Sequence, residues 1–230
     1  MAIVKRIFSN VTQRYDFLNH FLSLRRDIAW RRFLVKRLYF FSTFRLLDLA
    51  TGTGDVAIGA ALAHSKVRVA AVDFVQSMLE EAEKKVAQAG LGKQVMFSRG
   101  DAMNLPFSEG VFDAVTVAFG IRNMPDRHRV LKEMHRVLVP GGAIFLLEMT
   151  SPQNQVFRVL YLPYLKTILP RLARWFTKDP AAYLYLAESI IRFPKPDELA
   201  EEIRQAGFAA VKKFPLTLGI TYLHEGIKPG

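Results

Sequence analysis

From Arg45 onward, apolar and polar positions follow two alternating periods. Short apolar runs, "RLLDLA" (45–50), "VRVAAVDF" (67–74), "QVMFSRGDA" (94–102), "FDAVTVAFG" (112–120) and "AIFLLEM" (143–149), read as strands. Between them lie runs at helical spacing: "DVAIGAALAH" (55–64), "SMLEEAEKKVAQAG" (77–90) and "RHRVLKEMHRVLVPGG" (127–142). The second has Ser77 as its expected N-cap, acids early and lysines late, and the third closes on Pro-Gly-Gly. Strand–helix alternation predicts an α/β fold, a doubly wound, mostly parallel sheet with right-handed crossovers. "PDELAEEIRQA" (196–206) predicts a last helix. "FAAVKKFPL" and "GITYLHEGIK" then predict a hairpin that finishes the sheet with an antiparallel last strand.

Two stretches fall outside the alternation. Residues 1–44 read as a helical N-terminal arm, with Trp30, Phe33, Leu34, Leu38 and Phe41 at helical spacing. Residues 151–195 read as a helical insertion before the last helix and strands, rich in aromatics and broken by Pro163, Pro170 and Pro180. A length of 230 residues suits a single domain, divided into arm (1–44), cofactor-binding core (45–150), insertion (151–195) and closing elements (196–230).

Charge sharpens this division. The net +11 is concentrated in residues 1–45, with ten Lys/Arg against two Asp, and in residues 151–195, with seven against two. The intervening core holds eleven basic residues against twelve acids. Such basic blocks suit an anionic membrane surface or nucleic acid, and a plain solvated surface is the alternative. The absence of cysteine excludes disulfides and thiolate metal sites. The start, "MAIVKRIFSNVTQRYD", lacks an apolar leader, and no run approaches the ~20 apolar residues of a membrane span. The expected location is the cytoplasm, peripheral at the inner face of the membrane.

"LLDLATGTGDVA" puts Gly52 and Gly54 directly after the first strand, with Ala57 at the third fingerprint place and Asp73 about 20 residues on. A tight turn with a helix cap at Asp55 is the structural alternative. The acids decide which nucleoside fits. A pyrophosphate would be repelled by Asp48 and Asp55 on either side of the loop. S-adenosylmethionine brings instead a sulfonium, an ammonium and a carboxylate. Acids suit its cationic end and loop N–H groups its carboxylate. Asp73 is placed to accept both ribose hydroxyls, Asp101 the adenine amino group, and Ala102 the adenine face. These acids stand at successive strand C-terminal ends, where open α/β sheets bind ligands.

With those residues in view, "DLATGTGD", "DAMNLPF", "FDAVTVAFGIRNMPD", "EMHRVLVPGG" and "YLYLAESIIRFP" together resemble the ubiquinone/menaquinone biosynthesis C-methyltransferase family. The resemblance reaches "RYDFLNHFLS" near the start and "LTLGITYLHEGIK" at the end, so it covers nearly the whole chain. It implies a Rossmann-like fold, S-adenosylmethionine as methyl donor, a polyprenyl benzoquinol or demethylmenaquinol as lipophilic substrate, and possible assembly into homo-oligomers. Carried over residue by residue, it implies cofactor contacts at Thr53, Asp73, Asp101 and Ala102. Ala118 falls where the family often has serine. "SLRRDIAW" departs from the family in carrying Arg25 and Asp27 near places where similar proteins usually have Gly and His.

Quinol chemistry then gives roles to "VAFGIRNMPD" (117–126). A ring carbon becomes nucleophilic when a neighbouring hydroxyl loses its proton. Arg122 stays protonated, so its expected role is to stabilise the phenolate, and Asn123 would orient the same oxygen or a water. Tyr15 and Asp16 are further catalytic candidates, Asp16 as a base. Tyr161, Tyr164, Tyr183 and Tyr185 are candidates for an aromatic channel. Trp30, Phe33 and Phe41 are candidates for membrane contact beside the basic blocks. His20, His135 and His224 read as packing or surface residues, no metal is expected, and nothing suggests a nucleic-acid partner. The competing readings are another O- or N-methyltransferase on this scaffold, a nicotinamide-dependent oxidoreductase, and a basic membrane- or RNA-binding module without catalysis.

Overall fold

The structure, a computed structural model, describes residues 20, 23–164, 167 and 181–230. In chain order its elements are α1 (Arg26–Arg37), β1 (Arg45–Leu49), α2 (Asp55–Ala63), β2 (Arg68–Asp73), α3 (Gln76–Gln88), β3 (Val95–Arg99) and β4 (Phe112–Ala118). A 3-10 turn (Ile121–Asn123) leads to α4 (Arg127–Val137), β5 (Leu138–Met149), α5 (Gln155–Pro163), α6 (Ala181–Arg192), α7 (Pro196–Gln205), β6 (Ala209–Leu216) and β7 (Thr221–Ile227). The strands form one seven-stranded sheet in the order β3-β2-β1-β4-β5-β7-β6. β1 to β5 pair in parallel, and β7 runs antiparallel between β5 and β6. The expected doubly wound sheet with an antiparallel last strand is what forms.

Successive residues of the central strands point to opposite faces, and each face has its own core. Leu46, Ala114, Phe145 and Leu147 pack on the face covered by α1 and α2. Leu47, Leu49, Val115, Val117, Ile144 and Leu146 pack on the other, against Val130, Leu131 and Met134 of α4 and Leu199 and Ile203 of α7. Burial on both faces is why these strands read as apolar runs, with polar residues such as Asp48, Asp113, Thr116 and Glu148 tolerated where they find partners.

Three boundaries differ from the sequence reading. The helix expected over 127–142 stops at Val137, and β5 starts at Leu138. Pro140 biases the residue before it away from helical backbone, and Leu138 already pairs with Phe112. The N–H groups of Gly110 and Val111 donate to the carbonyls of Arg136 and Val137, so the helix end has partners. Helix α3 begins at Gln76 with Val75 as N-cap, so Ser77 lies inside the first turn. Helix α1 ends at Arg37, and Leu38 is extended, so Leu38 and Phe41 do not continue the helical stripe. The connector instead lies on Asp113, a fully buried carboxylate of β4. Asp113 accepts the N–H groups of Ser42 at 3.1 Å, Thr43 at 3.0 Å and Phe44 at 2.6 Å, and the Thr43 hydroxyl at 3.1 Å.

Candidate active site

At the C-terminal edge of the sheet, the ends of β1, β2, β3 and β4 open into one cleft. Its empty space is about 920 Å³, including the open mouth. Gly52, Asp73, Asp101, Ala102, Ala118 and Asn123 are in its wall, with Val75, Met78, Met103 and Phe119 supplying apolar surface. Among the described residues, the wall contains two acids and no Lys or Arg. That donor set suits a nucleoside with hydroxyl and amino groups and opposes a pyrophosphate.

Asp73, the last residue of β2, is buried. Its Oδ2 accepts the Gly52 N–H at 2.8 Å and its Oδ1 the Val75 N–H at 2.9 Å. Burial pushes its pKa up, opposed by the N–H groups of Val75, Gly52 and Phe74. The carboxylate keeps acceptor capacity beyond these N–H groups, so a hydroxyl can still donate to it. Asp101 accepts the Met103 N–H at 2.9 Å, which closes the turn after β3 and sets Ala102 against the cleft.

Two strand ends are made without glycine. Ala50, just after β1, has φ 51, and Phe119, just after β4, has φ 60. Non-glycine residues in this left-handed region carry strain of order ~1 kcal/mol, and such strain clusters at functional sites. Gly120 is needed for closeness instead, because a Cβ there would lie 2.5 Å from the Ala50 Cβ. Gly54 combines φ 85 with a Cβ position 3.1 Å from Ala82, which holds the start of α2 against α3.

A smaller chamber adjoins the cleft and shares Gly52, Ala50 and Ala118 with it. Asp48 and Thr53 are in its wall. Asp48 accepts the hydroxyls of Thr116 and Thr51, each at 2.6 Å. Burial raises its pKa to about 6, the two threonine hydroxyls oppose that, and the Asp73 charge adds to it. Thr53 accepts a hydrogen bond from Lys85 at 3.2 Å, and Lys85 also donates to Asp55 at 2.6 Å. The loop N–H groups expected to hold a carboxylate are partly engaged: Thr51 bonds Val72, Gly52 bonds Asp73, and Gly54 bonds Thr51.

Past β4, the turn Ile121–Asn123 carries the acceptor-side candidates. Arg122 is buried in an ion pair with Glu148 of β5 and donates to the Phe119 carbonyl at 2.8 Å. Glu148 also accepts the Arg122 N–H at 3.2 Å and the Met149 N–H at 2.9 Å. Asn123 faces the cleft, and its Oδ1 accepts the Tyr185 hydroxyl of α6 at 3.0 Å. Tyr161 of α5 is buried, stacks on Tyr164 at 6.3 Å and on Phe157 at 6.2 Å, and its hydroxyl has no hydrogen-bond partner among the described residues. The same holds for the buried Arg122 Nε. Burial raises the pKa values of Tyr161 and Tyr185, with the Arg122 charge pulling both back. Both phenols therefore remain protonated at neutral pH, and that of Tyr185 donates to Asn123.

A family model described as the ubiE/COQ5 methyltransferase family matches residues 1–228. The chain belongs to this family. It is an S-adenosylmethionine-dependent methyltransferase. The ubiquinone/menaquinone biosynthesis C-methyltransferase UbiE of Geotalea daltonii is 40% identical over 226 residues, 98% of this chain and 96% of that protein. The demethylmenaquinone methyltransferase of Anoxybacillus flavithermus is 40% identical, with coverage of 98% and 95%. Among solved structures, an S-adenosylmethionine-dependent methyltransferase of Thermotoga maritima, titled a possible histamine N-methyltransferase, superposes with a TM-score of 0.67 at 21% identity, covering 97% of this chain and 99% of that one. A putative methyltransferase of Bacillus halodurans gives 0.62 at 21% identity, covering 87% and 99%. These structural likenesses speak to the fold.

In this methyltransferase the predicted residues divide. Gly52, Asp73, Asp101, Ala102, Ala118 and Asn123 come together in the cleft, while Asp48 and Thr53 lie in the adjoining chamber. Gly54 acts on the backbone behind them. Arg122 is not in the cleft wall; it stands behind the turn with its charge matched by Glu148. Tyr15 and Asp16 lie outside the described residues, as does the Tyr183 side chain. Trp30 is buried against Phe119 and donates to the Thr217 hydroxyl at 2.9 Å, so it is a core residue and not a membrane anchor. Phe41 is half exposed, but it lies beside Gly141, at the sheet end opposite the cleft. The sequence reading missed Glu148 and Arg31. A lone acid ending the run "AIFLLEM" was the available signal for the first.

Proposed function

We propose that the chain transfers a methyl group from S-adenosylmethionine to a ring carbon of a polyprenyl quinol in menaquinone or ubiquinone biosynthesis. The observation that carries this reading is the Asn123–Tyr185 pair at the mouth of the donor cleft. With Oδ1 accepting the hydrogen bond from the Tyr185 hydroxyl, the Asn123 NH₂ is left to donate to an oxyanion. A quinol oxygen held there ionises more readily, and its ring carbon gains electron density. The donor supplies a methyl group already activated on a sulfonium. The protein aligns the ring carbon with it and excludes water. Arg122 acts as a positioning residue: its contacts to Phe119 and Glu148 fix the strained turn that carries Asn123. Asp16, as a base for the quinol hydroxyl proton, and Tyr15, as a lining residue, complete the reading.

A lipophilic substrate calls for contact with the bilayer, and the basic blocks suit an anionic leaflet. Leu218, 75% exposed just before β7, is at the same sheet edge as the cleft and offers apolar contact. Flotation with anionic vesicles but not neutral ones is the expected outcome. Equal recovery with both would remove the electrostatic part.

The catalytic reading is tested with demethylmenaquinol and its benzoquinol analogue as acceptors. Wild type should methylate at least one of them. Asn123→Ala should lose turnover while keeping its affinity for S-adenosylhomocysteine. Unchanged turnover in that variant would contradict the assigned role.

A further inference from the structure

The methionine end of the donor is a zwitterion, and a site that recognises it needs a charge for each half. In the chamber beside the cleft, Asp48 supplies an anion for the ammonium. Of the described residues lining that chamber, the one cation is Arg31. It does not come from the sheet edge; it reaches the chamber from α1, in the N-terminal arm.

Arg31 is held from three sides. Its Nη1 donates to Asp27, one turn earlier on α1. Its Nε lies 3.8 Å from Asp55 Oδ2, at the start of α2. Its guanidinium carbon sits 5.1 Å from the centre of the Phe119 ring, the strained residue that also lines the main cleft. Asp27 is buried and fixed in turn by Ser23 at 2.6 Å and His20 at 2.7 Å. Its carboxyl stays below the usual range despite burial, through Ser23 and the Arg31 charge. A guanidinium has five N–H donors in a planar fork, and the hydrogen bond to Asp27 engages only one of them. Asp55 would repel a carboxylate here, but Lys85 already binds its other oxygen at 2.6 Å. The N–H groups of Thr51, Gly52 and Gly54 are engaged with Val72, Asp73 and Thr51, so most of the loop's donors are already taken and a guanidinium adds to what remains.

We infer that Arg31 binds the carboxylate of the methyl donor, so that the N-terminal arm completes the cofactor site. The inference rests on S-adenosylmethionine being the donor. It follows that donor binding and arm docking favour each other, because the ligand binds best when α1 is seated.

Calorimetry with two ligands separates this role from a merely structural one. S-adenosylhomocysteine carries the amino-acid end and 5′-methylthioadenosine lacks it. Arg31→Met should weaken S-adenosylhomocysteine by about 10- to 100-fold, the range of a charge-assisted hydrogen bond. Methylthioadenosine should change by less than about twofold. Unchanged S-adenosylhomocysteine binding would overturn the inference. Equal weakening of both ligands would overturn it too, since that is what general damage to the cleft produces. Should Arg31→Met not fold, wild type and Arg31→Lys are compared on S-adenosylhomocysteine and its decarboxylated analogue. Losing the carboxylate should cost wild type more than it costs the lysine variant, and an equal cost would overturn the assignment. Failure of wild type to bind S-adenosylhomocysteine would overturn the donor reading instead.

Discussion

The donor side and the acceptor side of this site are built differently. The donor side uses consecutive strand ends: Gly52, Asp73, Asp101 and Ala118 each follow or finish a parallel strand, and their contacts are local or one strand away. The acceptor side is assembled from distant segments. Asn123 meets Tyr185 and Arg122 meets Glu148, across 62 and 26 residues respectively. A sheet edge makes the first arrangement once and reuses it. The second exists only when the turn after β4 and the helices after β5 are seated together. Donor binding should therefore survive changes that abolish acceptor chemistry.

The largest expected effect tests that separation directly. Asn123→Ala should lower kcat/KM for the quinol by about 10²–10³-fold, as for loss of an oxyanion donor, with the S-adenosylhomocysteine Kd unchanged. Asp73→Ala should do the reverse at the binding step, raising that Kd by roughly 10- to 100-fold. If either variant moved both quantities alike, the two sides would not be separable.

Next is the anchoring of the arm. Asp113→Ala leaves the N–H groups of Ser42, Thr43 and Phe44 without their acceptor. A loss of about 3 kcal/mol is expected, or some 6–12 °C in Tm, read by differential scanning calorimetry.

Asp48 links pH to the donor side. Its pKa is raised to about 6, so its protonated form is favoured in the fold. Its stabilising contribution is full below the unfolded value near ~4 and is lost as pH rises through about 6, a change of about 3 kcal/mol. Ligand binding runs the other way, because an ammonium requires the carboxylate. The affinity for S-adenosylhomocysteine should fall as pH drops through about 6. Asp48→Asn should melt higher than wild type at pH ~7.5 in the ligand-free state, bind the ligand more weakly, and lose both pH dependences.

Smaller still, Tyr185→Phe removes one neutral hydrogen bond to Asn123 and should lower turnover by about 5- to 10-fold with an unchanged donor Kd. Smallest is Arg25→Gly. Arg25 sits at φ 60 as the N-cap of α1. Glycine removes that strain at an entropic cost, so a gain of about 1 kcal/mol or less, seen in thermal melts, is expected.

The same contrast explains what could be read from the chain alone. Strand periods, the glycine loop and the acids at strand ends are local patterns, and they placed Asp48, Asp73 and Asp101 before any coordinates. Helix ends were less legible because their stops depend on partners elsewhere. Val137 ends α4 where Gly110, Val111 and Phe112 meet it, and the connector after α1 follows Asp113, some 70 residues away. Arg122 looked like a free cation because nothing local announces Glu148. Trp30 looked like a membrane anchor because its partners, Phe119 and Thr217, lie far along the chain. Arg31 was one of many basic residues in the arm until Asp27, Asp55 and Phe119 fixed its position.

The central claim is methyl transfer to a quinol ring carbon, and the position of a labelled methyl group tests it most directly. The wild-type protein is incubated with S-[methyl-¹³C]adenosylmethionine and demethylmenaquinol or its benzoquinol analogue, and the product is examined by NMR. The account predicts the ¹³C signal at an aryl methyl shift on at least one of the two quinols. A methoxy shift, or no transfer to either quinol by protein that binds S-adenosylhomocysteine, would contradict it.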